Sequence, residues 1–291
     1  MRRELHKPIP GPYATPFVSL LSIAPMVLAL FLGFAGTSQA NTCTLDQGRL
    51  QAGRVCLAVK VFAAPSGPGQ PLAVIVHGDG GGMIDNQYLA RFESTGQRIA
   101  EARPSAGVVF VQRPGYRSTL GISQGRAKAE DDDYTRENVD HMAVAVRELR
   151  AAWKPSKVVW VGHSGGSALG ALVMGRHPGV VDDAVLASCP CGSIRRWREH
   201  RNISRGHWNA STWPNSLSPV DHMDGLIRGS RVILITGDRD NNTRPEFSMP
   251  WIEKAVARGV EARMVLLPGL GHGPVADVPE IADHAVTLLR E

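Results

Sequence analysis

Apolar and polar positions alternate over Val55, Leu57, Val59 and Val61, the period-two pattern of a strand. Leu72-Ala73-Val74-Ile75-Val76 is instead apolar throughout, as expected of a strand covered on both faces. Similar short runs recur at 107–111, 158–161, 184–187, 232–235 and 264–267. Between them the period lengthens. Val139, Met142, Val146, Leu149 and Trp153 fall at helical spacing, as do Ile252 with Val256 and Ile281, Ala285 with Leu288. Residues 65–71 hold Ser, Gly and Pro and predict a turn. Strands alternating with helices predict an α/β fold, a mostly parallel sheet with helices on both faces. Such sheets carry their chemistry on loops at the carboxyl ends of the strands, here the loops after residues 76, 111, 161, 188, 235 and 267.

Residues 190–222 interrupt the alternation. They show no strand pattern and hold Trp197, Trp208 and Trp213 among several Arg and His. This segment is expected to be an insertion, either a small cap over the sheet that shapes a pocket or a packed surface excursion.

Residues 1–40 have a different character. Arg2, Arg3 and Lys7 precede a charge-free stretch over 17–35, and Ser38-Gln39-Ala40 follows with the small-residue spacing of a signal-peptidase site. The expectation is a signal peptide cleaved after Ala40, leaving a mature chain of 41–291 in a periplasmic or secreted setting. An uncleaved membrane anchor is the alternative. Arg2-Arg3 lies too far from the apolar core for a twin-arginine signal, and Cys43 lacks the run expected of a lipoprotein. All four cysteines, Cys43, Cys56, Cys189 and Cys191, follow the cleavage point, in a compartment that permits disulfides. Cys43–Cys56 is the expected staple between the mature N-terminus and the first strand. Cys189-Pro190-Cys191 leaves one residue between thiols, so a bridge there is expected to be strained.

Composition narrows the function. With 43 % hydrophobic and 20 % charged residues the chain is ordinary globular protein and not a disordered one. A formal charge of +5, without a basic run interleaved with aromatics, gives no reason to expect nucleic acid as a partner. No internal period suggests a solenoid.

The strongest chemical signal is Gly162-His163-Ser164-Gly165-Gly166, set between the 158–161 strand and a helix-compatible run from Ser167 to Met174. G-x-S-x-G in strand–turn–helix context is a nucleophile elbow. Its turn is tight enough to need glycines beside it, its serine projects above the sheet, and the helix start offers N–H groups to a developing anion. His77-Gly78-Asp79-Gly80-Gly81-Gly82 follows the 72–76 strand. Its glycines let backbone pass close to a substrate, and no Lys-Ser/Thr follows as a phosphate-binding P-loop would need. A tetrahedral intermediate needs two donors. Gly165 N–H is expected to be one, and Asp79 N–H the other, with Gly80 N–H its alternative.

A serine needs a base to act as nucleophile. Gly271-His272-Gly273 follows the last strand, and the chain order Ser, acid, His places the acid after the 232–235 strand. Two carboxylates stand there, Asp238 and Asp240.

From about residue 55 to the end, with these three motifs in this order, the chain resembles the α/β-hydrolase superfamily. Members commonly carry their acid in a G-x-x-D loop, matched here by Gly237 to Asp240, so the resemblance implies Asp240 as catalytic acid with Asp238 second. Ser218-Pro219, the Gly237-Asp238-Arg239-Asp240 loop and Arg113-Pro114-Gly115-Tyr116 after the 107–111 strand are similar to the prolyl-oligopeptidase and dienelactone-hydrolase branches. The sequence departs from prolyl oligopeptidases in leaving no room for their large N-terminal propeller, which weighs against size-selective oligopeptide cleavage.

The remaining candidates have plainer readings. His163 is expected to pack beside the sheet, and His77 to hold the glycine loop by hydrogen bonds. Neither these nor the other histidines show metal-ligand spacing, so no metal or cofactor is expected. Asp131-Asp132-Asp133 could suggest calcium but better complements the dipole of a helix beginning near Thr135. Arg195, Arg196, Arg198, Arg201 and Arg205 could attract an acidic substrate or simply form a solvated face. Together these readings predict a serine hydrolase cleaving small carboxylic esters through Ser164, His272 and Asp240. Short peptides are the second substrate class. A non-catalytic binding protein on the same fold is the third reading, disfavoured by the full set of nucleophile, base and acid. The membrane becomes a partner only if the leader is retained.

Overall fold

In a computed structural model the described residues are 43–127 and 133–290. The leader and its cleavage site lie outside them, as do Asp131 and Asp132. Each apolar run folds as a strand. The alternating segment is β2 (Val55–Ala63), preceded by a short strand not expected from the sequence, β1 (Arg49–Ala52). The others are β3 (Leu72–Val76), β4 (Gly107–Val111), β7 (Val158–His163), β8 (Asp183–Ala187), β9 (Arg231–Gly237) and β10 (Glu261–Leu267). A two-residue hairpin, β5 (Arg117–Ser118) with β6 (Gly121–Ile122), stands apart.

The main sheet has the order β1-β2-β4-β3-β7-β8-β9-β10. β1 and β2 pair antiparallel, as do β2 and β4, and every other pairing is parallel. Alternate side chains feed two separate cores, because successive residues of a strand point to opposite faces. Val74, Val76, Val109 and Val111 pack on one side, Ala73, Ile75, Val108 and Phe110 on the other. The first side is covered by α2 (Arg136–Trp153), α3 (Gly165–Arg176) and α5 (Met249–Ala257), the second by α1 (Asn86–Ala102) and α6 (Pro279–Arg290). β10 closes the edge with a half-exposed pattern, which explains its weak sequence signal.

Helix α1 lies outside the elements expected above although its signal is in the sequence. Leu89, Phe92 and Ile99 are buried at helical spacing, and Asp85 Oδ1 caps the start by accepting Tyr88 N–H at 2.7 Å. α4 (Ile194–Ser204), within the 190–222 segment, gave little signal because arginine and other polar residues fill most of its positions. Its Trp197 is buried against Trp213, with ring centroids 5.7 Å apart, whereas Trp208 is exposed. Disulfides join Cys43 to Cys56 and Cys189 to Cys191. Asp133, two residues before the cap of α2, has partners that local sequence does not indicate. It is buried and bound to Arg113 and Tyr116, while Thr135 caps the helix through Asn138 N–H. Among the described residues no helix is long and apolar enough to cross a membrane, and no group of His, Cys, Asp or Glu is arranged to hold a metal.

Candidate active site

Ser164 sits between the end of β7 and the first turn of α3, with φ 51° and ψ −116°. An L-residue rarely adopts a positive φ, and holding one there costs about 1–3 kcal/mol. The surroundings enforce it. Ser164 N–H donates to Ala187 O at 2.8 Å, and a Cβ on Gly166 would lie 2.3 Å from Val76 O, so α3 crosses the sheet too closely for any side chain there. Ser164 Oγ is thereby set against the loops that follow β3, β9 and β10.

His272, on the loop after β10, places Nε2 3.0 Å from Ser164 Oγ. Its Nδ1 lies 2.9 Å from Asp240 Oδ2. Nδ1 therefore carries the proton, and the serine hydroxyl donates to Nε2. Asp240 is almost fully buried, with every acceptor site used. Oδ1 accepts the N–H groups of Asn242 (2.9 Å) and Thr243 (2.8 Å), and Oδ2 accepts Thr243 Oγ1–H (2.8 Å) as well as the imidazole. Burial acts to raise this carboxyl's pKa. The bond to His272, the charge that ring carries when protonated and the Thr243 donors outweigh it and hold the group well below the usual carboxylate range. Asp238 faces elsewhere, accepting Gly269 N–H at 2.7 Å on the exposed side of the loop. Of the two aspartates, only Asp240 lies within hydrogen-bond reach of His272. Thr243 escaped the sequence reading, since a threonine three residues past an aspartate carries no distinctive signal.

The loop after β3 lies against the serine. A Cβ on Gly78 would meet Ser164 Cβ at 2.9 Å and Tyr88 Oη at 2.5 Å. Gly80 N–H is directed to Tyr116 Oη at 3.4 Å. The N–H groups of Asp79 and Gly165 have no hydrogen-bond partner among the described residues. The Asp79 side chain, by contrast, is committed. Arg113 Nη1 donates to Oδ1 at 2.8 Å and Tyr134 Oη to Oδ2 at 2.7 Å. Burial pushes its pKa up, but Arg113 and Tyr134 overcome this and keep it ionised. Arg113 also pairs with Asp133 at 3.3 Å, and Tyr116 Oη donates to that carboxylate at 2.8 Å. The result is a buried lattice that fixes the loop's backbone. The sequence reading picked out Arg113 and Tyr116 by resemblance and missed Tyr134.

His77 and His163 hold rather than react. His77 Nδ1–H donates to Gly78 O at 2.7 Å, and Nε2 accepts Arg113 N–H at 3.0 Å. His163 Nδ1 accepts Tyr88 Oη–H at 2.9 Å, that hydroxyl accepts Gly78 N–H at 3.1 Å, and His163 Nε2–H donates to His272 O at 3.2 Å. One chain of bonds thus ties the glycine loop to the backbone of His272. Burial, then the neighbouring His272 charge, lower the His163 pKa to about 3. Because the unfolded ring titrates near 6.5, His163 stabilises the fold fully above about pH 6.5 and progressively less as pH falls toward about 3. A thermal melt series from pH 7 to 4 is expected to show Tm falling. His163→Asn should lower Tm at pH 7 while flattening that fall, and an unchanged slope would remove His163 as its source.

The mouth of the site is a cavity of about 390 Å³ lined by Tyr88, Arg91, Ser164, Arg201, Arg205 and His272, among others. The 190–222 segment supplies two of these residues and so walls the cleft.

A serine, an imidazole and a buried carboxylate in hydrogen-bond series on this sheet define an α/β-hydrolase-fold serine hydrolase. Solved structures agree on the fold. Est1E from Butyrivibrio proteoclasticus superposes with a TM-score of 0.59 at 14 % identity, over 84 % of this chain and 98 % of its own. An esterase from Pyrococcus furiosus gives 0.60 at 13 % over 83 % and 90 %, and a hyperthermophilic esterase from Pyrobaculum calidifontis gives 0.58 at 16 % over 83 % and 84 %. The profile of the prolyl oligopeptidase family matches residues 100–286, and the chain belongs to that family. No curated protein matches it.

Proposed function

We propose that the protein hydrolyses small carboxylic esters through an acyl-enzyme on Ser164. The observation that carries this is the 3.0 Å contact from His272 Nε2 to Ser164 Oγ, backed by Asp240. Ser164 Oγ attacks the carbonyl carbon and His272 Nε2 takes its proton. The anionic oxygen is received by Asp79 N–H and Gly165 N–H, neither of which has a hydrogen-bond partner among the described residues. His272 then protonates the leaving alkoxide, and the same steps with water release the acid. Asp240 keeps the proton on Nδ1 and stabilises the imidazolium throughout.

Family membership favours a second reading, cleavage of short peptides. The charge of the cleft weighs against substrates with a free amino terminus. Arg91, Arg201 and Arg205 line it, and of its carboxylates Asp79 is committed to Arg113 and Tyr134 while Asp85 caps α1 at the exposed rim. The purified protein is expected to form a single fluorophosphonate adduct and to turn over 4-nitrophenyl esters far faster than matched 4-nitroanilides. Preference for the anilides would establish the peptidase instead, and no adduct would return the fold to a binding role.

Export remains part of this proposal. The basic start, the charge-free stretch and the small-residue site at Ala40 support it, as do the two disulfides beyond that site. A mature mass beginning at Asn41 is the expected result, and a protein retaining residues 1–40 in membranes would replace cleavage with anchoring.

A further inference from the structure

Beyond the cavity over Ser164 lies a larger chamber of about 590 Å³. Asp79, Gly80, Arg201 and Arg205 line both, so the two spaces adjoin. The far wall of the chamber is one face of α4 and its C-terminal cap, where Arg198, Arg201 and Arg205 recur at helical spacing. Arg198 is 4 % exposed, and its guanidinium stacks 4.2 Å from the Trp213 ring centroid. Arg201 lies 5.7 Å from the Trp197 centroid. The Nε atoms of Arg198 and Arg201 are buried without a hydrogen-bond partner, and none of the three arginines forms an ion pair among the described residues.

Three guanidiniums on one helix face repel one another. Burial, and then the charge of Arg201, pull the pKa values of both Arg198 and Arg205 down. Asp79 is the one carboxylate lining the chamber among the described residues, and Arg113 and Tyr134 already bind its two oxygens. Buried N–H groups left unsatisfied are costly, and guanidinium forks match the paired oxygens of carboxylate and phosphate.

We infer that the substrate carries an anionic oxygen group, a carboxylate or a phosphate, which Arg198, Arg201 and Arg205 bind in this chamber while Ser164 attacks the ester carbonyl. The inference deepens the ester-hydrolase reading and rests on it. Arg198, stacked on Trp213, anchors the site, and Arg201 and Arg205 line both the chamber and the cavity over the nucleophile.

The test compares kcat/KM for 4-nitrophenyl hydrogen adipate with that for 4-nitrophenyl hexanoate, equal in chain length but differing in charge. A parallel pair, 4-(butyryloxy)benzoate and phenyl butyrate, moves the carboxylate to the leaving group and reports which end of the substrate the arginines hold. In one pair the anionic ester is expected to be favoured about tenfold or more. The ratio should fall at least about tenfold in Arg201→Gln/Arg205→Gln, recover in part in Arg201→Lys/Arg205→Lys, and stay put in Arg195→Gln, which changes an exposed arginine outside the chamber. Raising salt should erode the anionic rate more than the neutral one. A binding arm avoids turnover: Ser164→Ala protein titrated with adipate and separately with phosphate should bind one of them, which names the anion, and the added Arg201→Gln/Arg205→Gln changes should weaken that binding at least about tenfold. Neutral esters turned over with no anionic preference in either pair, together with no binding of either anion, would overturn the inference and leave the ester hydrolase standing. An unreactive Ser164 that still supports arginine-dependent anion binding would overturn the hydrolase reading instead.

Discussion

Asp240→Asn is expected to lower kcat on a neutral 4-nitrophenyl ester by about 10⁴-fold. The geometry makes the reason specific. Oδ1 accepts two backbone N–H groups, from Asn242 and Thr243, so an asparagine must keep its oxygen on that side. Its NH₂ then faces His272 Nδ1 and Thr243 Oγ1, where Oδ2 now accepts. A donor facing Nδ1 drives the imidazole to its other tautomer, with the proton on Nε2, where it can no longer take one from Ser164. Asp238→Asn, which alters only the acceptor for Gly269 N–H, should change kcat by less than about threefold. Steady-state kinetics on the two variants decides the acid, and equal losses would show that loop integrity rather than His272 orientation is being measured.

The larger effect belongs to Ser164→Ala, with an expected fall in kcat of about 10⁵–10⁶-fold. Activity left after that change reflects binding and the N–H donors alone. Alanine keeps the Cβ that already fits at φ 51°, and Ser164 Oγ donates only to His272, so folding should be little affected. Intact mass after fluorophosphonate treatment should show no adduct on the variant. Loss of less than about tenfold would mean that another group performs the attack, and an adduct persisting on the variant would locate it.

The parts of the site visible in the sequence are those whose chemistry is local. The elbow is written in adjacent residues because a strand that turns straight into a helix needs glycine where α3 crosses β3. Residue spacing alone leaves the acid as Asp238 or Asp240, and only the resemblance to the superfamily puts Asp240 first. Two residues on one irregular turn share the same local pattern, and their directions depend on which backbone N–H groups the turn presents. In α1 the buried Leu89, Phe92 and Ile99 fall at helical spacing, whereas two of the four buried positions of α4, Arg198 and Asn202, are polar, so its buried face leaves no apolar periodicity in the sequence. The pairing of Asp133 with Arg113 joins the start of α2 to the loop after β4, a contact that no local pattern announces.

The sequence by itself determined the alternation of strands and helices, the serine at its strained turn and the glycine loop beside it. These follow from steric rules acting over a few residues. Tertiary structure alone decided that Asp240 meets His272, that Thr243 and the Tyr88–His163 chain hold them in line, and that Arg201 and Arg205 line the cleft over Ser164. Those contacts join residues 75 to 109 positions apart in some cases, and only a closed core sets such side chains within hydrogen-bond reach.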